Sequence, residues 1–288
     1  MSTLTLDMVT ADFGRLPAAP DVTMELLEYL QRDEVDAAHL SRLISRDQAL
    51  AARALRIANS SFHGLQSPVA TIDDAMTVRG LRAMHTLITT AAIAERLMAL
   101  QPVGSDLHGF WLHSAGTALC AQALAQKANS GKTGTLWNSE QAFTAGLLHD
   151  IGSLVLATRF PEQYAEVLAC RDANDCLIIE AEHDVLGFDH AQVGGALALD
   201  WKLAGELAEA VAWHHAPEEQ PASSLAGLTH LADIMAHVLG FPDGENNRVP
   251  LLSAVAWNRF DLTWQDFKDL MAEIDTRRHE TDILILTD

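Results

Sequence analysis

Histidines and aspartates recur through the second half of this chain, in segments that are otherwise apolar. They occur as His113 in FWLHS, His149 and Asp150 in GLLHDIG, His190 in DHAQVGG, His214 and His215 in VAWHHAP, and Asp233 in HLADIMA. Burying so many polar groups costs free energy unless a common partner satisfies them. Imidazole nitrogens mixed with carboxylate oxygens, without thiolates, are typical ligands of Fe, Mn or Zn. The pattern therefore predicts a divalent metal site, with Fe or Mn favoured and Zn as the alternative.

Simpler interpretations exist for single members of this set. The adjacent His149 and Asp150 could form a hydrogen-bonded pair that only holds two helices together. Neighbouring helix residues diverge by about 100°, so both bind one centre only if it lies against that turn. His190 follows Asp189 and could simply occupy the first turn of its helix. We interpret the remaining histidines as packing or surface residues: His39, His63, His85, His108, His183, His230, His237 and His279.

The elements that must position these residues are predicted to be helices. Apolar residues recur at helical spacing along most of the chain, as in the stripe that follows Pro20. His149 and Asp150 fall inside one predicted helix over residues 140–160, and the pair at 214–215 ends another over 203–215. The predicted N-caps are Asp47, Thr71, Ser139, Asp189 and Thr263. Only the short run at 283–286, ILIL, resembles a strand, so an all-α fold is predicted.

Two polar segments are candidate linkers between subdomains. They are QPVGSD at 101–106 and FPDGENNRVP at 241–250. They predict a helical subdomain over 1–104, a second over 105–240 that carries the candidate ligands, and a C-terminal helical extension over 241–288.

Charge and cysteine content restrict the class of protein. The chain has 288 residues and a formal net charge of −20. Such a field repels nucleic-acid phosphates and anionic lipid, so we expect no nucleic-acid and no membrane partner. The three cysteines form no C-x-x-C pair, and the N-terminal residues lack the apolar core of a signal peptide. These features predict a cytoplasmic protein.

The spacing of His113, His149-Asp150 and Asp233 resembles the H…HD…D signature of the HD superfamily of metal-dependent phosphohydrolases. In the first half, LPAAPDVTMELLEYL, LISRDQALAARALRIANSSFHG and TIDDAMTVRGLRAM resemble the HDOD domain, an HD-related output domain of bacterial signalling proteins. The likeness runs from about Leu16 to Leu239. It implies an all-α fold with a small N-terminal helical subdomain and an HD-type helical subdomain, and a regulatory role exercised through contacts with signalling proteins.

Resemblance to the HD-GYP group, whose members have cyclic-dinucleotide phosphodiesterase activity, implies a larger set of metal ligands. His190 with Gly194, and the pair His214-His215, resemble further ligand positions of that group. By this resemblance Asp150 bridges two ions. One ion is completed by His113, His149 and Asp233, and the other by His190, His214 and His215. Two ions would activate a water molecule, neutralise a phosphodiester, and supply the positive charge that the chain otherwise lacks.

The sequence also departs from the HD-GYP pattern. Ser153 stands where that group has a lysine, Gly109 where a glutamate often adds a ligand, and APEEQPASS follows the histidine pair without any GYP. The resemblance therefore favours a regulatory protein with an HD-type metal site and no efficient phosphodiesterase activity. The alternative is a metal-dependent phosphohydrolase acting on a nucleotide or cyclic dinucleotide. A third possibility is a metal-free scaffold in which these residues form only a hydrogen-bonded cluster.

Overall fold

In a computed structural model of the chain, the described residues are 4–16, 25–26, 29, 35–59, 69–81, 84, 88, 90–93, 100, 106–130, 136–222, 224–242, 248–260, 262–276 and 278. Their regular structure is helical, with no strand among them, which confirms the predicted all-α fold. Most of the helix predicted after Pro20 and the strand-like run at 283–286 lie outside these residues.

The described residues fall into two compact units. Residues 4–16 belong with residues 100–278, while the described residues from 25 to 93 form the other unit. The start of the chain, with helix α1 (Leu6–Ala11), is thus grouped with the second half. The predicted C-terminal extension, as far as it is described, belongs to the same unit as the candidate ligands.

Three helices of the smaller unit are described over their whole length, and each has a polar N-cap. They are α2 (Ala37–Ile44), α3 (Gln48–Asn59) and α4 (Ile72–Arg79). Asp47 Oδ1 accepts a hydrogen bond from the backbone N–H of Leu50 at 3.0 Å. Thr71 Oγ1 accepts one from Asp74 at 3.1 Å. Both contacts satisfy N–H groups that a helix leaves unpaired at its start, as the sequence predicts.

The larger unit is a helical bundle with one long member of 24 residues. In chain order they are α5 (Leu107–Ser130), α6 (Ser139–Leu148), α7 (Ile151–Arg159), α8 (Pro161–Asn174), α9 (Ile178–Leu186), α10 (His190–Asp200), α11 (Gly205–Ala212), α12 (Ala226–Val238), α13 (Ala254–Trp257) and α14 (Trp264–Thr276). α5 packs against α6, α12 and α14, and α10 packs against α7 and α11.

Small residues bring these helices unusually close together. A Cβ on Gly146 of α6 would lie 2.8 Å from the backbone of Ala118 in α5. A Cβ on Gly195 of α10 would lie 2.5 Å from the Cβ of Ala212. Carbon atoms that touch are about 3.5–4.0 Å apart, so neither position accommodates a side chain without a shift. From the sequence, Gly194 and Gly195 could serve either close approach to a ligand or tight helix packing. In the structure both lie against neighbouring helices.

Four local predictions were wrong in the larger unit. Residues 149–150 form a turn between α6 and α7, and α11 ends at Ala212, so that residues 213–215 form a turn as well. The polar sequence over 128–139 predicts an exposed loop, but helix α5 continues to Ser130. Asn138, not Ser139, caps α6, since its side-chain oxygen accepts hydrogen bonds from the N–H groups of Glu140 and Gln141.

Across the described part of the chain, no helix has the length and apolarity needed to cross a membrane.

Candidate metal centre

Three helices and two turns of the larger unit bring all seven predicted ligands to one place. His113 lies within α5, His190 is the first residue of α10, and Asp233 lies within α12. The two adjacent pairs, 149–150 and 214–215, occupy the turns that follow α6 and α11. Because a turn does not impose the helical divergence of neighbouring side chains, both members of each pair face the same centre.

These side chains are almost completely withdrawn from solvent. His113, His149, His190, His214 and Asp233 are buried. The Asp150 side chain retains 15% exposure and His215 is also partly exposed, so the cluster reaches the surface at these two residues. Ionisable groups are rarely buried in this number unless they are paired or bind a metal ion.

One carboxylate oxygen of Asp150 faces the histidines of α10 and the turn after α11. Oδ1 lies 3.2 Å from His190 Nε2 and 3.5 Å from His214 Nε2. His215 Nε2 lies 3.0 Å from His190 Nε2. Ligand atoms of these four residues all lie within 4.8 Å of one another, a separation at which they can surround a single metal ion.

The other oxygen of Asp150 faces a different histidine. Oδ2 lies 3.2 Å from His149 Nε2. His113, His149 and Asp150 form a second group of ligand atoms within 4.8 Å of one another. The two oxygens of one carboxylate thus point toward two separate imidazole sets, which is the arrangement expected of a bridging ligand.

Asp233 lies beside a third set of histidines. Its Oδ1 is 3.0 Å from His113 Nε2, 3.7 Å from His149 Nε2 and 3.3 Å from His237 Nε2. Ligand atoms of His113, Asp233 and His237 lie within 4.8 Å of one another. The sequence-based interpretation of His237 as a packing or surface residue omits this contact. Its spacing of four residues from Asp233 places both on one helix face and is the signal that could have identified it.

Hydrogen bonds outside the cluster orient three of the imidazole rings. The Nδ1–H of His149 donates to the Gly146 carbonyl at 2.8 Å, and that of His214 donates to the Val211 carbonyl at 2.7 Å. In both rings the lone pair then lies on Nε2, which points into the cluster. Both Nε2 atoms are buried and have no hydrogen-bond partner among the described residues. Such nitrogens fit metal binding, because a cation accepts the lone pair that each ring directs into the cluster.

Glu182 orients the third ring, a role that is not predicted from the sequence. The Glu182 side chain is fully buried in α9. Its Oε2 accepts hydrogen bonds from Nδ1 of His190 at 2.6 Å and from the His190 backbone N–H at 3.0 Å. The sequence signal that could have identified Glu182 is its spacing of four residues from Leu186, which places both side chains on the buried face of α9.

The carboxylates and imidazoles shift one another's pKa. Burial alone would lower the pKa of His149, but the charges of Asp150 and Asp233 outweigh it and raise that pKa to about 10. Burial would raise the pKa of Asp150, yet the neighbouring histidines lower it well below its usual range. Burial, together with the charges of His214 and His190, lowers the pKa of His215. Without a cation the carboxylates thus hold protons on nearby rings, and metal binding would displace them.

The other described histidines lie outside the cluster. His230 hydrogen-bonds to the backbone next to the cluster. Its Nδ1–H donates to the backbone oxygen of His214 at 2.8 Å, and its Nε2 accepts from the Ser253 N–H at 3.0 Å. His183 is half-exposed and pairs with Asp189. His108 is exposed, whereas His39 is half-buried with its ring against Tyr29, so both fit the interpretation as surface or packing residues. Those at 63, 85 and 279 lie outside the described residues.

The family model of the HDOD domain matches residues 16–217 of the chain. The chain belongs to the HDOD domain family. The match begins ahead of the smaller unit and ends just after the His214-His215 turn, so it includes every predicted ligand except Asp233.

Similar proteins carry this HDOD fold over almost their whole length. A crystal structure of an HDOD domain protein with unknown function from Geobacter sulfurreducens is 25% identical, with 98% of both chains covered and a TM-score of 0.75. A crystal structure from Shewanella amazonensis SB2B, of a protein named "Putative phosphohydrolase", is 26% identical, with 96% of this chain and 97% of that chain covered and a TM-score of 0.76.

One curated relative is considerably longer than this chain. An "Uncharacterized protein" of Treponema pallidum (strain Nichols) is 26% identical over 238 residues, which cover 80% of this chain and 43% of the relative. The chain thus spans less than half the length of that relative.

Proposed function

We propose that this HDOD protein is a regulatory protein of bacterial signal transduction, with a divalent metal centre in its larger helical unit and no efficient phosphodiesterase activity. Asp150 would bridge two ions, Fe or Mn in preference to Zn. The His190, His214 and His215 side chains would hold one ion, while His113, His149 and Asp233 would hold the other. The regulatory output would be contact with signalling proteins.

The single observation that carries the metal centre is the environment of Asp150. Each of its carboxylate oxygens faces a different imidazole set, and His149 and His214 point unpartnered nitrogens at it from buried positions. In a purely hydrogen-bonded cluster these two rings must each carry a second proton to pair with Asp150, because Nδ1 of each already donates to a backbone carbonyl. A metal ion needs no such proton, because it accepts a lone pair from each ring.

The residues around the centre support a regulatory role over turnover. Ser153 offers no positive charge where the phosphodiesterase group has a lysine. The segment that follows the histidine pair is committed to packing: Arg259 donates to the carbonyls of Pro217 at 2.7 Å and Gln220 at 2.8 Å. Glu218 accepts a hydrogen bond from Ser253. These contacts tie the segment to α13 and its flanks rather than to a substrate.

A metal-dependent phosphohydrolase is the second candidate. Divalent ions held by these residues would supply Lewis-acid chemistry for phosphoester hydrolysis. The chain's own residues would then hold those ions and, through Glu182 and the carbonyls of α6 and α11, fix the imidazole orientations. The Shewanella amazonensis relative named "Putative phosphohydrolase" favours this candidate. A nucleotide or cyclic dinucleotide would be the substrate class.

Activity assays separate these candidates. The protein is purified without a metal-chelate column, its Fe, Mn and Zn contents are measured, and a panel of nucleotides and cyclic dinucleotides is incubated with it under Mn²⁺ or Fe²⁺. We expect bound metal and no product above the level of a His149→Ala variant. The variant His183→Ala, outside the cluster, is the matched control. Turnover that His149→Ala abolishes and His183→Ala retains would overturn the regulatory proposal in favour of the hydrolase.

Partner capture tests the regulatory output. Bacterial lysate is passed over the wild-type protein and over an Asp150→Ala variant that lacks the bridging carboxylate. We expect a defined signalling protein to bind the wild type in replicate and to bind Asp150→Ala less. Equal capture by both proteins would show that any such contact is independent of the metal centre.

A further inference from the structure

His237 lies at the edge of the cluster and belongs to none of the ligand positions implied by the HD or HD-GYP patterns. It occupies the last turn of α12, one helical turn after Asp233. Its side chain is 7% exposed, so the ring is almost as buried as the predicted ligands. An imidazole in the last turn of a helix can usually reach water, so this degree of burial requires an explanation.

The His237 ring faces Asp233 Oδ1, the oxygen that His113 and His149 also approach. Its Nε2 is 3.3 Å from Asp233 Oδ1. The centroid of its ring is 4.6 Å from that of His113, whose Nε2 is 3.0 Å from the same oxygen. Ligand atoms of all three residues lie within 4.8 Å of one another.

Several imidazole nitrogens converge on one oxygen of Asp233. Asp233 Oδ1 is approached by the Nε2 atoms of His113 and His237, and by that of His149 at 3.7 Å. A carboxylate oxygen beside the nitrogens of two further rings is the mixed donor set that a divalent cation binds in proteins.

The position of His237 also compensates for a missing group. Gly109, one turn before His113 on α5, offers no side chain where related proteins often carry a ligating glutamate. In this chain α12 packs against α5, and the ring of His237 lies against that of His113. An imidazole of α12 is therefore available beside His113, where α5 itself offers no further ligand.

We propose that His237 is a ligand of the divalent cation held by His113 and Asp233. The inference rests on the proposed metal centre and adds to it a coordination set of two imidazoles and a carboxylate. The opposing interpretation is that His237 only donates a hydrogen bond to Asp233.

Mn²⁺ binding separates the two interpretations. Wild type, His237→Ala, His237→Gln and Asp150→Ala are stripped with chelator, equilibrated by dialysis against a series of Mn²⁺ concentrations, and analysed for metal per chain. His183→Ala is the matched control, because it removes a histidine from the same unit but outside the cluster. Circular dichroism verifies that each variant is folded.

We expect both His237 variants to lose one class of Mn²⁺ sites, or to bind it about tenfold more weakly or worse, while His183→Ala matches wild type. The glutamine variant is decisive, because its amide can still donate to Asp233 but is a poor substitute for an imidazole ligand. Wild-type stoichiometry and affinity in His237→Gln would overturn the inference. Absence of Mn²⁺ from the wild type would instead overturn the metal centre on which it rests.

A second measurement needs no variant. In crystals of the wild-type protein grown with Mn²⁺, the anomalous difference map should place an ion at ligand distance from His237 Nε2. Ions bound only beside Asp150, with none at His237, would overturn the inference and leave the proposed metal centre standing.

Discussion

Glu182 Oε2 lies 2.6 Å from Nδ1 of His190, and both side chains are almost fully buried. The same oxygen accepts the backbone N–H of His190, so this contact fixes the start of α10 and the rotation of the ring together. The Nε2 of His190 is consequently directed at Asp150 Oδ1. Carboxylate–histidine contacts of this kind raise the basicity of a ligand and hold its tautomer.

Replacing Glu182 by Gln should weaken metal binding about 10–100-fold without removing any ligand. The amide keeps the size of the side chain but loses the charge that strengthens the hydrogen bond to His190. Mn²⁺ affinity by equilibrium dialysis is the measurement. Asp184→Asn, at an exposed position of the same helix, is the control and should bind like wild type. Unchanged affinity in Glu182→Gln would show that the contact serves folding alone.

Helices α7 and α10 approach each other closely at Gly152, and this approach places Asp150 beside His190. A Cβ at Gly152 would collide with the backbone carbonyl of His190 and lie 2.7 Å from the backbone nitrogen of Gly194. Gly152→Ala should therefore lower the free energy of unfolding by about 1–3 kcal/mol, the usual cost of overpacking, or more because backbone atoms must move. It should also reduce metal affinity.

Denaturant unfolding measures the effect of Gly152→Ala. Gly205→Ala is the matched control, since a Cβ at that helical position meets nothing within 4 Å. Alanine has the higher helix propensity, so the control should be as stable as wild type or slightly more so. Equal stability of the two variants would contradict the close approach of α7 and α10.

Cys120 should be chemically silent in the folded protein. It is fully buried in α5, where burial, reinforced by the charge of Asp233, raises the pKa of its thiol far above the usual range. The thiolate is the reactive species, so iodoacetamide at a pH of about 8 should leave Cys120 unmodified and label it only after unfolding in urea. Mass spectrometry of the peptides reports each site, with the half-buried Cys170 as the internal comparison. Rapid native labelling of Cys120 would contradict this packing.

Metal should stabilise the fold through the ligands of the cluster. A cation that binds only the native state contributes about 2.7 kcal/mol when its free concentration is about 100 times its Kd. The thermal midpoint of chelator-treated protein should therefore rise on addition of Mn²⁺. Asp150→Ala should show little or no rise, because it removes the carboxylate shared by two ligand sets. An equal rise in both proteins would place the stabilising site elsewhere.

Much of the fold and the seven candidate ligands could be predicted from the sequence, because residue type and local spacing carry that information. Helical periodicity indicates the all-α class, and the motifs around His149 and Asp233 indicate the family. Asp189 is predicted to cap α10, and its side chain accepts the N–H of Gln192. Each of these depends on residues close together in the chain.

The parts that the sequence does not predict depend on tertiary contacts. The break at 149–150 is hidden because the residues on both sides, Leu148 and Ile151, continue an apolar helical pattern. Glu182 acts on a ring eight residues away, across the turn between α9 and α10, and no spacing rule identifies that pair. His237 is one turn from Asp233, but only the packing of α12 on α5 shows that it also faces His113.

The most direct test of the central claim is the position of bound metal around Asp150. Crystals grown with Mn²⁺, with data collected on both sides of the Mn absorption edge, locate the ions without reference to activity. The proposed centre predicts anomalous peaks on opposite sides of the Asp150 carboxylate, one against His190, His214 and His215 and one against His113 and His149. A map without a peak at ligand distance from Asp150, in crystals that contain Mn²⁺, would contradict it.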